Sequence, residues 1–338
     1  MNAAPTGLGV LVVGGYLGAG KTTLVNHLLR HAEGRRIAVM VNDFGEVGID
    51  ADLILGQDGE VLQLAGGCIC CSVGSDLVES LMSLAARAPR PDLVLIETSG
   101  VALPAQVARG AALAPGIVID GVVVLADAQA VRLQTQDRHV GDTVTEQLRQ
   151  ADLLVLNKAE AVDPTELQAL QTWLAALAPR ARSLVCSEAR VPAEVVLGLG
   201  AAEPHDLVDA QAGPSGSMSG GFAVKQPPVG RRAALARASR GQRPAASVFE
   251  SLSLKLQGAF DLEGLAHALS DPALGLVRVK GMLKDSHQDL KVLQMTGSRW
   301  RITAAAVPAE ERLLMIGLKG AFERQALEAI VERFRYGK

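Results

Sequence analysis

Three of the chain's four cysteines, Cys68, Cys70 and Cys71, fall within GGCICCSV, residues 66–73. Thiolates are soft ligands, and three sulfurs on a glycine-hinged loop suit a Zn²⁺ ion at Zn–S distances of about 2.3 Å. A closed structural site takes four protein ligands. This cluster therefore needs one more, from a carboxylate, a histidine, water or a partner, and an open, exchangeable site suits a carrier. A redox pair and an inert buried cluster are the other readings. C-x-C-C lacks the C-x-x-C spacing of thioredoxin-like redox sites, and three thiols packed without metal are liable to oxidise.

A second constellation is Gly15-Tyr16-Leu17-Gly18-Ala19-Gly20-Lys21-Thr22, a full match to GxxxxGK[ST]. Its glycines let backbone N–H groups wrap phosphate oxygens, and a helix beginning at its end adds partial positive charge. Lys21 is expected to reach the β- and γ-phosphates, and the Thr22 hydroxyl to bind Mg²⁺. The flanks agree. GVLVVGG (9–15) is a short apolar run stopped by glycine, and Leu24, Leu28 and Leu29 recur with helical spacing in 22–32.

Further apolar runs at 35–41, 92–97, 121–126 and 152–157 are separated by enough chain for crossovers. Alternating buried strands and helices imply a mostly parallel sheet of the α/β class, whose ligands gather at the strands' carboxyl ends. Three such ends carry chemistry. IETSG (96–100) offers Glu97 near Mg²⁺ and a γ-phosphate-sensing backbone at Gly100. VNDFGEVGID (41–50) reads as a first switch segment, with Asp43 and Glu46 available to metal or water. Lys21, Glu97 and Asp43 are thus the expected catalytic set. LLVLNKAE (153–160) is similar to the NKxD base-reading motif, with Asn157 and Lys158 in place and Glu160 at the carboxylate position. A carboxylate there accepts from the guanine N1–H and 2-amino group, so GTP is favoured over ATP. The extra methylene of Glu160 shifts the acceptor by ~1.5 Å. The fourth cysteine, Cys186, reads as a buried structural thiol.

Composition bounds the setting. The 338 residues are 49% hydrophobic and 20% charged, with room for two domains. A formal net charge of −3 points to no nucleic-acid partner. No uninterrupted apolar run reaches the ~18 residues of a membrane span, and the N-terminus lacks the basic region of a signal peptide. Four cysteines make no disulfide framework, so a reducing cytoplasm is expected.

The expected organisation is a nucleotide-binding domain at 1–205, a basic Gly/Ser/Pro/Ala-rich linker at 206–247, and a small α+β domain at 248–338. In the last, SVFESLSLKLQ alternates like a strand, FDLEGLAHALS reads as an amphipathic helix, and ERQALEAIVERFR as a terminal helix.

Taken in order, GYLGAGKTTL, NDFGEVGID, GGCICCS, a strand ending in ETSG, and ADLLVLNK resemble the CobW-like family of metal-handling GTPases. The resemblance spans nearly the whole chain, and Arg278-Val279-Lys280-Gly281 matches a basic, glycine-ended strand of that family's C-terminal domain. It implies a P-loop GTPase that binds Zn²⁺, or Co²⁺ instead, at the cysteines and passes it to a client metalloprotein under nucleotide control. By position Cys68, Cys70 and Cys71 inherit the metal role, Gly15 to Thr23 the phosphate role, and Glu46 a ligand role. Client recognition or a homodimer contact falls to the C-terminal domain. The sequence departs from the family at Glu160 and in lacking a histidine-rich stretch. Two rival readings remain: a nucleotide-dependent regulatory switch with a permanent structural zinc, and an ATP-using small-molecule kinase.

Overall fold

The computed structural model describes residues 7–32, 34–41, 60–63, 75–197, 249–305, 310–320 and 323–336. The switch acids Asp43 and Glu46, the cysteines Cys68, Cys70 and Cys71, and the expected linker lie outside the described residues.

The first sheet has seven strands. They are β1 (Leu8–Gly15), β2 (Ile37–Val41), β3 (Glu60–Gln63), β4 (Leu93–Glu97), β5 (Ile117–Asp127), β6 (Leu153–Asn157) and β7 (Arg182–Val185), in the order β3-β2-β4-β1-β5-β6-β7. Every pairing is parallel. The apolar runs read in the sequence are its central strands, continuous because both faces are covered. On β1, Leu8, Val10 and Val12 enter one core, and Leu11 and Val13 enter the other. The first core is closed by α2 (Ser75–Ala85), α3 (Pro104–Ala111), α5 (Gly141–Arg149) and α6 (Pro164–Leu177), through Leu81, Val107, Leu148 and Leu174 among others. The short α4 (Val131–Gln136) precedes α5 and contributes Val131 to the same core. The second core takes Leu24, Val25 and Leu28 of α1 (Lys21–Arg30) and Val195 and Val196 of α7 (Ala193–Leu197).

The second sheet is antiparallel. Strands β8 (Phe249–Lys255), β9 (Leu276–Lys284), β10 (Leu290–Thr296), β11 (Arg299–Ala304) and β12 (Arg312–Leu318) run in the order β11-β10-β9-β12-β8. One face packs on α8 (Leu262–Leu269) and α9 (Arg324–Arg333), with Phe260, Leu265, Val279, Leu313 and Val331 in a core of its own. This is the α+β arrangement the alternating pattern implies.

The described residues of both sheets belong to one compact unit. Val277 and Ile316 of the second sheet complete the α1/α7 core. Polar contacts gather at the amino ends of the parallel strands. Asp152, just before β6, accepts from Val122 N–H at 2.8 Å and from Arg299 Nε at 2.6 Å. Asp120 pairs with Arg301 at 2.5 Å, and Arg182 donates to the carbonyls of Leu276 and Ser270, each at 2.8 Å. Gly297, at φ 57°, lies so near Asp152 that a Cβ there would sit 1.9 Å from its carbonyl oxygen. Arg278 is buried and donates to Val196 O at 3.3 Å. The opposite, carboxyl edge of the sheet carries the described motif segments that follow β1, β4 and β6.

Candidate functional site

The phosphate loop leaves β1 at Gly15, whose φ of 131° and position against β5 both demand glycine: a Cβ would lie 2.3 Å from Leu125 O. Gly18 and Gly20 also take positive φ, 77° and 103°. The loop closes on itself through Ala19 N–H to Tyr16 O at 3.2 Å and Lys21 Nζ to Tyr16 O at 3.4 Å. Helix α1 then starts with Gly20 at its N-cap and no capping side chain. Its first N–H groups and its positive dipole end are aimed at the loop, the arrangement that attracts phosphate. Thr23 sits in that first turn.

Two expected magnesium partners meet here. Thr22 Oγ1 donates to Glu97 Oε1 at 2.8 Å, and Glu97, the last residue of β4, is 2% exposed. A hydroxyl and a carboxylate are hard oxygen donors, so this pair fits Mg²⁺, which prefers one or two such protein ligands beside water and phosphate. The neighbouring Thr98 Oγ1 is buried with no hydrogen-bond partner among the described residues, while its N–H donates to Val13 O at 2.9 Å.

After β4 the chain turns at Ser99–Ala102, closed by Ala102 N–H to Ser99 O at 3.1 Å. Gly100 lies in this turn against the phosphate loop, where a Cβ would come within 2.8 Å of Leu17 N. The two segments thus pack backbone to backbone. Gln147, on α5, also holds the turn, donating to Gly100 O at 3.0 Å and Ala102 O at 2.7 Å. No motif in the sequence marks it.

At the β6 end, Asn157 is 3% exposed and works as a brace. Its Nδ2 donates to Ala19 O at 2.9 Å, and its Oδ1 accepts from Ala189 N–H at 2.8 Å and lies 3.5 Å from the Cys186 thiol. A Cβ on Gly20 would lie 2.6 Å from Nδ2, so glycine is what allows this brace to reach the loop. Lys158, in left-handed conformation at φ 62°, pairs with Asp127 Oδ2 at 2.6 Å. Asp127 ends β5 on the same edge, and sequence reasoning passed over it although a carboxylate closing an apolar strand is a readable signal. Glu160 is exposed on a one-turn 3-10 helix, Ala159–Ala161, tied to the next loop by Ala159 N–H to Cys186 O at 3.2 Å. Burial, and then the Glu160 charge, push the Cys186 thiol up to about 12, so it is an inert structural sulfur.

The structure therefore brings Gly15, Gly18, Ala19, Gly20, Lys21, Thr22, Thr23, Glu97, Gly100, Asn157, Lys158 and Glu160 to the carboxyl edge of one sheet. Among the described residues no cluster of three His, Cys, Asp or Glu is placed to hold a metal ion. Among them, too, no helix is long and apolar enough to cross a membrane.

The family profile described as CobW/HypB/UreG, nucleotide-binding domain, matches residues 9–185, and that of the cobalamin synthesis protein cobW C-terminal domain matches residues 249–335. A zinc chaperone CobW of Pseudomonas aeruginosa is 37% identical over 231 residues, covering 59% of this chain and 62% of that protein. A zinc chaperone CobW of Sinorhizobium sp is 32% identical over 227 residues, covering 59% of this chain and 64% of its own. The matches thus span somewhat less than two thirds of these relatives. The crystal structure of Zn(II)-bound YjiA GTPase from E. coli aligns over 98% of this chain and 100% of its own, at 20% identity and a TM-score of 0.40, a likeness too loose to carry an argument.

Proposed function

The chain belongs to the CobW/HypB/UreG family and carries the cobW C-terminal domain, and from that premise we propose that it is a GTP-hydrolysing metallochaperone whose cargo is Zn²⁺. The observation that carries the nucleotide half of the reading is the meeting of Thr22 with Glu97 at 2.8 Å beside a helix start with no side-chain cap. Phosphoryl transfer needs mainly positioning and charge stabilisation. Backbone N–H groups from Gly18 to Thr23 would bind the phosphates, with Lys21 spanning the β- and γ-groups. Thr22 and Glu97 would hold Mg²⁺, which when bound neutralises charge developing on the phosphate oxygens. Asp43 would orient the attacking water, and the Gly100 turn would meet the terminal phosphate. Lys158 and Glu160 would face the base, with Asn157 fixing their loop against the phosphate loop.

The cargo site is assigned to Cys68, Cys70 and Cys71 with Glu46 as fourth ligand. Relatives that are named zinc chaperones support zinc as the metal, and Co²⁺ is the competitor, since divalent ions at such sites follow the Irving–Williams order. These cysteines lie in the chain between the first switch segment and the Gly100 turn, so the terminal phosphate can bias their arrangement from both sides. GTP would gate transfer to a client metalloprotein in the cytoplasm, and hydrolysis would reset the chain. The domains would be 1–205 and 248–338, joined by 206–247, with the second reserved for client or homodimer contact.

The test is Zn²⁺ affinity by chelator competition in the nucleotide-free, GDP and GTP-analogue states, beside GTPase rates with Zn²⁺ and Co²⁺. Equal affinities in all three states remove nucleotide control. Zinc that resists chelation, with activity indifferent to metal supply, would favour a switch with a structural zinc, and phosphoryl transfer to an acceptor other than water would favour a kinase.

A further inference from the structure

Gln147 is 1% exposed, and its amide nitrogen lies within hydrogen-bond distance of two carbonyl oxygens, those of Gly100 at 3.0 Å and Ala102 at 2.7 Å. Carbonyls only accept, so both amide protons serve these two bonds. Immobilising a buried glutamine costs up to ~2 kcal/mol of rotamer entropy, and a helix needs no such contact to pack. The bonds hold something else. Both carbonyls belong to the turn closed by Ala102 N–H to Ser99 O at 3.1 Å. A peptide unit is planar, so fixing Gly100 O also fixes the direction of the Val101 N–H across the same plane; that N–H makes only a long contact, 3.5 Å, with Ser99 Oγ. The Ser99–Ala102 bond does the same for the Gly100 N–H. Gln147 thus grips the turn through its carbonyls, while Gly100 in the same turn meets Leu17 of the phosphate loop.

Resting on the GTPase reading above, we infer that Gln147 is a positioning residue for the terminal phosphate: it clamps the Ser99–Ala102 turn so that the turn discriminates GTP from GDP. It touches no nucleotide itself and acts through the two carbonyls. Without the clamp the turn can rotate its N–H groups away from the terminal phosphate, a group that GDP lacks.

The experiment uses the full chain with Gln147→Met, apolar and of similar length, and Gln147→Glu, of the same shape but facing two carbonyls with acceptors. Affinities for GDP and for a non-hydrolysable GTP analogue are measured in each, with kcat and KM for GTP. The expected result is a loss of about tenfold in analogue affinity, the scale of one or two neutral hydrogen bonds, with GDP affinity held within about twofold. A fall in kcat larger than the change in KM accompanies it. Hydrogen exchange in the segment 97–103 of the nucleotide-free variants should quicken while that of α1 stays unchanged. An equal loss for GDP and the analogue assigns Gln147 to the fold alone and overturns the inference, as does a variant that keeps the wild-type preference. A wild-type chain that does not prefer the triphosphate overturns the GTPase reading and takes this inference with it.

Discussion

Asn157→Asp changes one side-chain atom at the point where the phosphate loop meets the carboxyl end of β6. In the native chain the amide donates to Ala19 O at 2.9 Å and accepts from Ala189 N–H at 2.8 Å, and Ala19 and Ala189 are 2% and 0% exposed. Aspartate keeps the acceptor and loses the donor. Ala19 O is then unsatisfied and faces a second oxygen, which costs about 1–3 kcal/mol, and a charge is placed at a buried position. Asn157→Ala removes both partners and strands two backbone groups, a cost of about 2–6 kcal/mol on the same scale. The aspartate variant carries a further signature. Burial raises its folded pKa above the unfolded value. The protonated carboxyl can donate to Ala19 O, so the deficit is small below the unfolded pKa and grows as pH rises through the folded one. Urea unfolding of the full chain at acid and neutral pH, with wild type beside each variant, reads both effects. Wild-type stability for Asn157→Asp at neutral pH would refute the brace, and so would a deficit that does not shrink on acidification.

Gly15→Ala should prevent folding or cost several kcal/mol, because its Cβ would meet a backbone oxygen at 2.3 Å, whereas Gly18→Ala, with nothing within 4 Å, should cost only about 1–2 kcal/mol of left-handed strain; denaturation midpoints compare them. Thr22→Val removes the hydroxyl bonded to Glu97 and should abolish Mg²⁺-dependence of triphosphate binding while diphosphate still binds, as titration calorimetry with and without Mg²⁺ would show. Burial, and then Arg278, lower Lys280 to about 8. Between that value and the free-lysine range the unfolded chain binds more protons, so this group makes stability rise with pH across the window; melts of Lys280→Met should show the slope flattened. Cys186, pushed up to about 12, should escape alkylation in the native chain at a pH of about 7.5, well below that value, while unfolding should open it to the reagent and, on the proposed cargo reading, added Zn²⁺ should protect Cys68, Cys70 and Cys71. Mass spectrometry of labelled peptides decides it, with rapid native labelling of Cys186 as the contrary result.

Much of the nucleotide edge was legible because its chemistry is local. A strand, a glycine loop and a helix within 8–30 specify the phosphate site, and continuous runs such as Val10–Val13 declare strands buried on both faces. Asn157 was legible as a motif residue, but its work as a brace was not, since Ala19 and Ala189 lie far from it along the chain. Gln147 gave no signal at all, because its partners stand 45 and 47 residues away and a lone glutamine in a polar helix is ordinary. Strand β3, EVLQ, is too short to show a period. The alternation of the second sheet revealed its own core but not that Val277 and Ile316 would close the core of the first.

That shared core bears on how the chain can be divided. A fragment ending near residue 200 looks natural from the Gly/Ser/Pro/Ala-rich composition of residues 206–247, yet it would uncover Val195 and Val196. It would also remove the guanidinium partners of Asp120 and Asp152. The complementary fragment would carry Arg278 into solvent without the α7 carbonyls that hold it. Each half is part of the other's solvent shield, so anyone cutting the protein to isolate its nucleotide site should expect an aggregation-prone product, and should trim within residues 206–247 instead.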